Sequence, residues 1–131
     1  MNIATDVVLI VDDDIDLLEA VALILEQCGY RILTATSGEQ ALEQLRVGPR
    51  PSLILFDLMM PGMNGWTLRQ KLLDTPEYAD IPAVVLSGDH MVLRNAPPPR
   101  CTSTLKKPVD LATLLQVVKQ SCASAPDDLG G

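Results

Sequence analysis

The chain has 131 residues, 47% of them hydrophobic, enough to bury one good core and hardly two. A formal net charge of -7 and only 3% aromatic residues argue against a nucleic-acid surface, which needs clustered Lys and Arg. No apolar run approaches the roughly 20 residues of a membrane-spanning helix, and the start MNIATD lacks the basic opening of a secretory signal, so the chain reads as cytoplasmic, without membrane insertion.

In chain order, Val7 to Val11 is a continuous apolar run rich in β-branched residues and predicts a buried strand. Leu18, Val21, Ala22, Leu25 and Cys28 then recur at helical spacing until Gly29 can stop the turn. Between strand and helix stands Asp12-Asp13-Asp14-Ile15-Asp16, four carboxylates in five residues. Arg31 to Ala35 predicts the second strand. Ser37 with Gln40 makes a capping box, and Ala41, Leu42 and Leu45 carry the second helix to Gly48-Pro49. Residues 53–56 predict the third strand, residues 65–73 the third helix, and residues 83–86, after Pro82, the fourth strand. The span 87–104 resists the pattern, because Pro97-Pro98-Pro99 stands where a fourth helix and a fifth strand should fit; residues 102–105 predict a weak strand. Leu111, Leu114, Leu115 and Val118 form the apolar face of a last helix capped by Asp110. The tail 124–131, SAPDDLGG, suits a frayed end or the start of a linker, which leaves residues 1–123 as the domain.

Short apolar strands alternating with helices predict an α/β domain with a doubly wound parallel sheet covered on both faces. In such sheets ligands sit beyond the carboxyl ends of the strands, so the residues that follow each strand matter. They are Asp12 and Asp13, Asp57, Ser87 and Lys107. Three acids, a hydroxyl and a cation are thereby expected at one edge. Asp14 and Asp16 read as helix-start residues, one capping and both complementing the dipole. Cys28, Cys101 and Cys122 show neither a disulfide framework nor a metal spacing and read as buried free thiols. Met59, Met60 and Met63 read as loop packing, and His90 as an exposed loop residue.

Asp12-Asp13, then Asp57-Leu58-Met59-Met60-Pro61-Gly62-Met63-Asn64-Gly65, then Ser87-Gly88, then Lys107-Pro108 occur in the order of a known family. With these motifs the chain resembles the response-regulator receiver domains of two-component signalling, similar to the chemotaxis response regulator. That resemblance implies a five-stranded, flavodoxin-like sheet in the order 2-1-3-4-5. It implies Asp57 as phosphoacceptor, with Ser87 and Lys107 contacting the phosphoryl group. It also implies Mg²⁺ as cofactor, with Asp13 and Asp57 as direct ligands, Asp12 holding a metal-bound water, and the backbone carbonyl of Met59 as a further ligand. Carboxylates this close repel by roughly 4 kcal/mol per pair at about 4 Å and an effective dielectric near 20, which a hard, oxygen-preferring cation relieves. The implied partners are a histidine kinase or histidine phosphotransfer protein and an unidentified downstream protein, with no enzymatic activity beyond self-phosphorylation from a donor and slow hydrolysis.

The pattern departs from the family in two places. Three residues before the lysine the family carries a Phe or Tyr whose rotamer follows phosphorylation, and here the switch pair would be Ser87 and Thr104. In the span 89–101 the prolines leave at most about two helical turns, near residues 90–95, so an atypical, shortened fourth helix is expected. Two alternatives stand beside this reading: a haloacid-dehalogenase-like phosphatase with Asp12 as nucleophile, and a non-phosphorylated interaction module on the same fold.

Overall fold

The computed structural model describes residues 6–88, 98, 100, 101 and 103–122. Five parallel strands, β1 (Val7–Val11), β2 (Arg31–Ala35), β3 (Leu53–Asp57), β4 (Ala83–Ser87) and β5 (Ser103–Lys106), form one sheet in the order β2-β1-β3-β4-β5. The described helices are α1 (Ile15–Gln27), α2 (Gly38–Val47), α3 (Gly65–Asp74) and α4 (Leu111–Cys122). Alternation along the strands divides the core in two. Leu9, Val11, Ile54, Phe56 and Val85 face α2 and α3, whereas Val8, Ile10, Leu53, Leu55, Val84 and Leu86 face α1 and α4. Since β1, β3 and β4 are buried on both faces, their sequences run apolar up to Val11, Phe56 and Leu86.

Local chemistry sets the ends of the helices. Asp14 is the N-cap of α1, its carboxylate accepting from the Leu17 amide, and Asp16 lies in the first turn. At the other end Gly29 takes φ 99°, which the left-handed turn out of a helix asks of glycine. Ser37 accepts from the Gln40 amide at 3.1 Å, but the return half of the expected capping box is displaced. The Gln40 side chain accepts from the amide of Thr36, one residue before the cap. Asp110 caps α4 through the Thr113 amide at 3.0 Å and hydroxyl at 2.7 Å.

Several expectations are corrected. The fifth strand is Ser103–Lys106, one residue later than residues 102–105, because it registers Leu105 against Leu86 and Lys106 against Ser87. Leu111 is 48% exposed, since the core cluster that α4 joins begins with Leu114, one turn further on. Cys28 is exposed at the C-cap of α1, Cys101 is half-buried, and only Cys122 is a buried free thiol, pushed up to about 12 chiefly by burial. Met60 and Met63 pack into the core as expected, whereas Met59 is 60% exposed on the loop that leaves β3. The shortened fourth helix, His90, Pro97, Pro99 and the tail 124–131 lie outside the described residues.

Candidate functional site

β1 and β3 are adjacent central strands with every residue buried; Asp57 ends β3, and Asp12 directly follows β1. Asp12 is fully buried, Asp57 is 6% exposed and Asp13 is exposed, yet an oxygen from each lies within 4.8 Å of the others. The first two cannot separate without breaking the sheet ladder. Asp12 Oδ1 accepts from the Asp14 amide at 2.9 Å, and Asp57 Oδ1 accepts a long bond from the Met59 amide at 3.4 Å.

The loop after Asp57 is held close to its own strand. The Gly65 amide donates to the Leu58 carbonyl at 2.9 Å. A Cβ on Gly65 would stand 2.7 Å from the Asp57 carbonyl oxygen and 2.7 Å from Leu58 Cα, so only glycine admits this approach of α3.

On the other side, β5 delivers Lys107. Its amide donates to the Ser87 carbonyl at 2.8 Å, and the Lys107-Pro108 peptide is cis. The ammonium lies 2.7 Å from Asp12 Oδ2 and 3.5 Å from Asp57 Oδ2. Burial alone would lower its pKa, but the combined pull of Asp12 and Asp57 overrides that and holds it above the ordinary lysine value. Asp57 is raised above the usual carboxylate value, first by burial and next by the charge of Asp12, with Lys107 and the Met59 amide opposing. Ser87 is fully buried at the end of β4, and Thr104 is exposed on the edge strand.

The structure thus gathers Asp12, Asp13, Asp57 and Lys107 in one constellation, brings Ser87 beside it through the β4–β5 end, and leaves Thr104 outside. One buried cation escapes the sequence reading. Arg69, on α3, is 2% exposed and donates from Nη2 to the Arg100 carbonyl at 2.8 Å. A signal existed, since Gly65, Leu68, Arg69 and Leu72 follow the spacing of a buried helical stripe.

With this geometry in hand, comparison with known proteins is specific. The profile of the response regulator receiver domain family matches residues 8–119. The DNA-binding dual master transcriptional regulator RpaA of Synechocystis is 38% identical over 81 residues, 62% of this chain and 33% of that protein. The chain therefore spans about a third of the length of such a regulator. A crystal structure of a response regulator receiver protein from Pseudomonas putida superposes with a TM-score of 0.83 at 31% identity, covering 91% of this chain and 99% of that one. The response regulator TrrA of Thermotoga maritima, solved in complex with Mg²⁺ and BeF, shares the fold with a TM-score of 0.80 at 24% identity, covering 89% and 99% of the two chains. Because the family match begins within β1 and ends within α4, it takes in all five strands but for Val7, and the chain belongs to the response-regulator receiver family of two-component signalling.

Proposed function

We propose that Asp57 accepts a phosphoryl group from a phosphohistidine on a histidine kinase or a histidine phosphotransfer protein, and that the modified domain acts on a further protein by binding. The observation that carries this reading is the Lys107 ammonium, 3.5 Å from an Asp57 carboxylate that shares its rim with two more acids. In the transfer, the P–N bond of the donor breaks and a P–O bond to an Asp57 carboxylate oxygen forms. Such a reaction asks mostly for positioning and for neutralisation of charge on the equatorial oxygens. Lys107 supplies one cation. It also works against the burial that favours a protonated, unreactive Asp57.

The donor set suits Mg²⁺: three carboxylate oxygens within 4.8 Å of one another, one of them on the exposed Asp13, so that water can complete the sphere. Asp13 and Asp57 would bind the ion directly, Asp12 through a water, and the Met59 carbonyl would join them. When bound, Mg²⁺ supplies positive charge against the phosphoryl oxygens and the clustered acids. Ser87, fully buried at the end of β4, would supply the hydroxyl that answers a new phosphoryl group, and Thr104 would stand where an aromatic lever otherwise follows it. The dehalogenase-like alternative loses support at Asp12. That carboxylate is fully buried, with one oxygen on the Asp14 amide and the other on Lys107, so neither is poised to attack.

Intact-mass measurement after Mg²⁺ and acetyl phosphate, with peptide mapping, tests the reading. One phosphoryl group is expected, on Asp57, lost in Asp57→Asn and only weakened in Asp12→Asn. Label on Asp12 would restore the phosphatase, and no label at all would leave an interaction module.

A further inference from the structure

Arg69 sits in the apolar stripe of α3 between Leu68 and Leu72, where a leucine or methionine of similar reach would be cheaper to bury than a guanidinium. Its partners lie just upstream of β5. Nη2 donates to the Arg100 carbonyl at 2.8 Å, and the guanidinium also hydrogen-bonds the Cys101 thiol. Arg100 has φ 57°, the one positive φ at a non-glycine position among the described residues. An L side chain adopts that conformation reluctantly, and it persists where the surroundings enforce it. The Arg100 side chain is exposed, so the hold is on its backbone.

Downstream, β5 is a short edge strand. It has four residues, only Leu105 buried, and it pairs with β4 alone. Lys107 is the next residue. Only four strand residues separate the clamped segment's end from Lys107, so a shift where β5 enters the sheet is passed to Lys107, whose amide has one bond, to the Ser87 carbonyl, to resist it.

We propose that Arg69 is a positioning residue for Lys107: by clamping the Arg100 carbonyl to α3 it fixes where β5 enters the sheet, and so how far the Lys107 ammonium stands from Asp57. This rests on the phosphoacceptor reading of the site. Arg69 acts only through β5, and α3 is the helix that follows the Asp57 loop, so the clamp ties the cation to the same element that braces the nucleophile.

The experiment is a double-mutant cycle on the whole chain, read by the initial rate of acetyl-phosphate labelling at saturating Mg²⁺. Arg69→Met keeps the reach and removes the donors. It is expected to slow labelling about tenfold, as small displacements of a reacting group do. Mg²⁺ affinity should be unchanged, because its acids follow β1 or end β3, away from the clamp. In a Lys107→Ala background the same substitution should change the rate by less than about twofold, since the group it positions is gone. Arg69→Lys, with one shorter-reaching donor, should fall between and serves if the methionine variant does not fold. Hydrogen exchange reads the clamp without any label: amides of residues 103–107 should exchange faster in either variant than in the wild type. Wild-type rates in Arg69→Met, or equal slowing in both backgrounds, would overturn the proposal. A wild type that takes no label defeats the phosphoacceptor reading instead, and is seen before any variant is made.

Discussion

The acids and the cation of this site stand on unequal ground. Asp12 and Asp57 close two central strands whose every residue is buried and which are paired on both sides. Lys107 follows a four-residue edge strand with one buried side chain. The opposite edge, β2, has five residues, also with one buried side chain, and there the Gln44 side chain donates to the Thr34 carbonyl at 3.0 Å. The difference teaches which part of the site can adjust. The buried carboxylates cannot retreat from each other, so their repulsion, roughly 4 kcal/mol for a pair about 4 Å apart at an effective dielectric near 20, is built into the fold. Their counter-charge follows an edge strand paired on one side only, and it is closer to Asp12 than to Asp57.

Removing the cation breaks the comparison most severely. In Lys107→Ala, acetyl-phosphate labelling should fall about a hundredfold, the scale of losing one charged donor from a transfer site. The metal-free variant should also lose about 2–3 kcal/mol in urea melts, because Asp12 would be left buried without its partner. Saturating Mg²⁺ should return part of that stability and little of the rate. Gly65→Ala strikes the acid side instead. Its Cβ meets backbone at 2.7 Å on two sides, so the strand end or α3 must move, for about 1–3 kcal/mol. Mg²⁺ should not rescue it, and that contrast separates a lost charge from a displaced frame.

How far the sequence exposes this architecture depends on the same division. β1, β3 and the acids are legible because continuous apolar runs leading into Asp leave one reading. Strand five is misplaced by one residue because four residues with a single buried side chain carry almost no periodicity. Leu111 follows the stripe of α4, but only tertiary packing says where the sheet ends. Arg69 is hard to read from sequence because an arginine in a helix is ordinarily solvated, and its partner is a backbone carbonyl that no composition announces.

Metal binding sharpens the comparison from the rigid side. Mg²⁺ at tenfold over its Kd should stabilise the wild type by about 1.4 kcal/mol, by mass action on the native state. Asp13→Asn should abolish that gain while raising the metal-free melting temperature slightly, since one of three clustered charges is gone. A melting temperature indifferent to Mg²⁺ at low and moderate salt alike would count against the site.

A smaller effect is the response to pH in metal-free protein. Burial and Asp12 raise the Asp57 carboxyl in the fold, so between its ordinary value of 3.8 and the raised one the native state binds more protons than the unfolded state. Stability from this group therefore falls as pH rises through that window. Lys107 is raised as well, so its contribution is complete below 10.5 and is lost as pH climbs through the folded value. Asp57→Asn should thus be more stable than the wild type at pH 7 in chelator, and the gap should close on acidification. A gap that widens instead would mean that Asp57 is held ionised in the fold.

The smallest expected effect lies at Thr104. It is exposed on β5 and carries no aromatic ring, so Thr104→Ala should change stability by no more than about 0.5 kcal/mol and leave labelling unaltered. A phosphoryl group on Asp57 brings three acceptor oxygens and can draw Ser87 toward it, yet β5 offers no side chain to convert that pull into a rotamer change. The response should then spread along the chain that follows Ser87. Amide exchange with and without beryllofluoride should show protection changes mainly within residues 87–101, with little at Thr104. Changes centred on residues 103–106 and α4 would show that the loosely held edge, and not the segment before it, carries the signal.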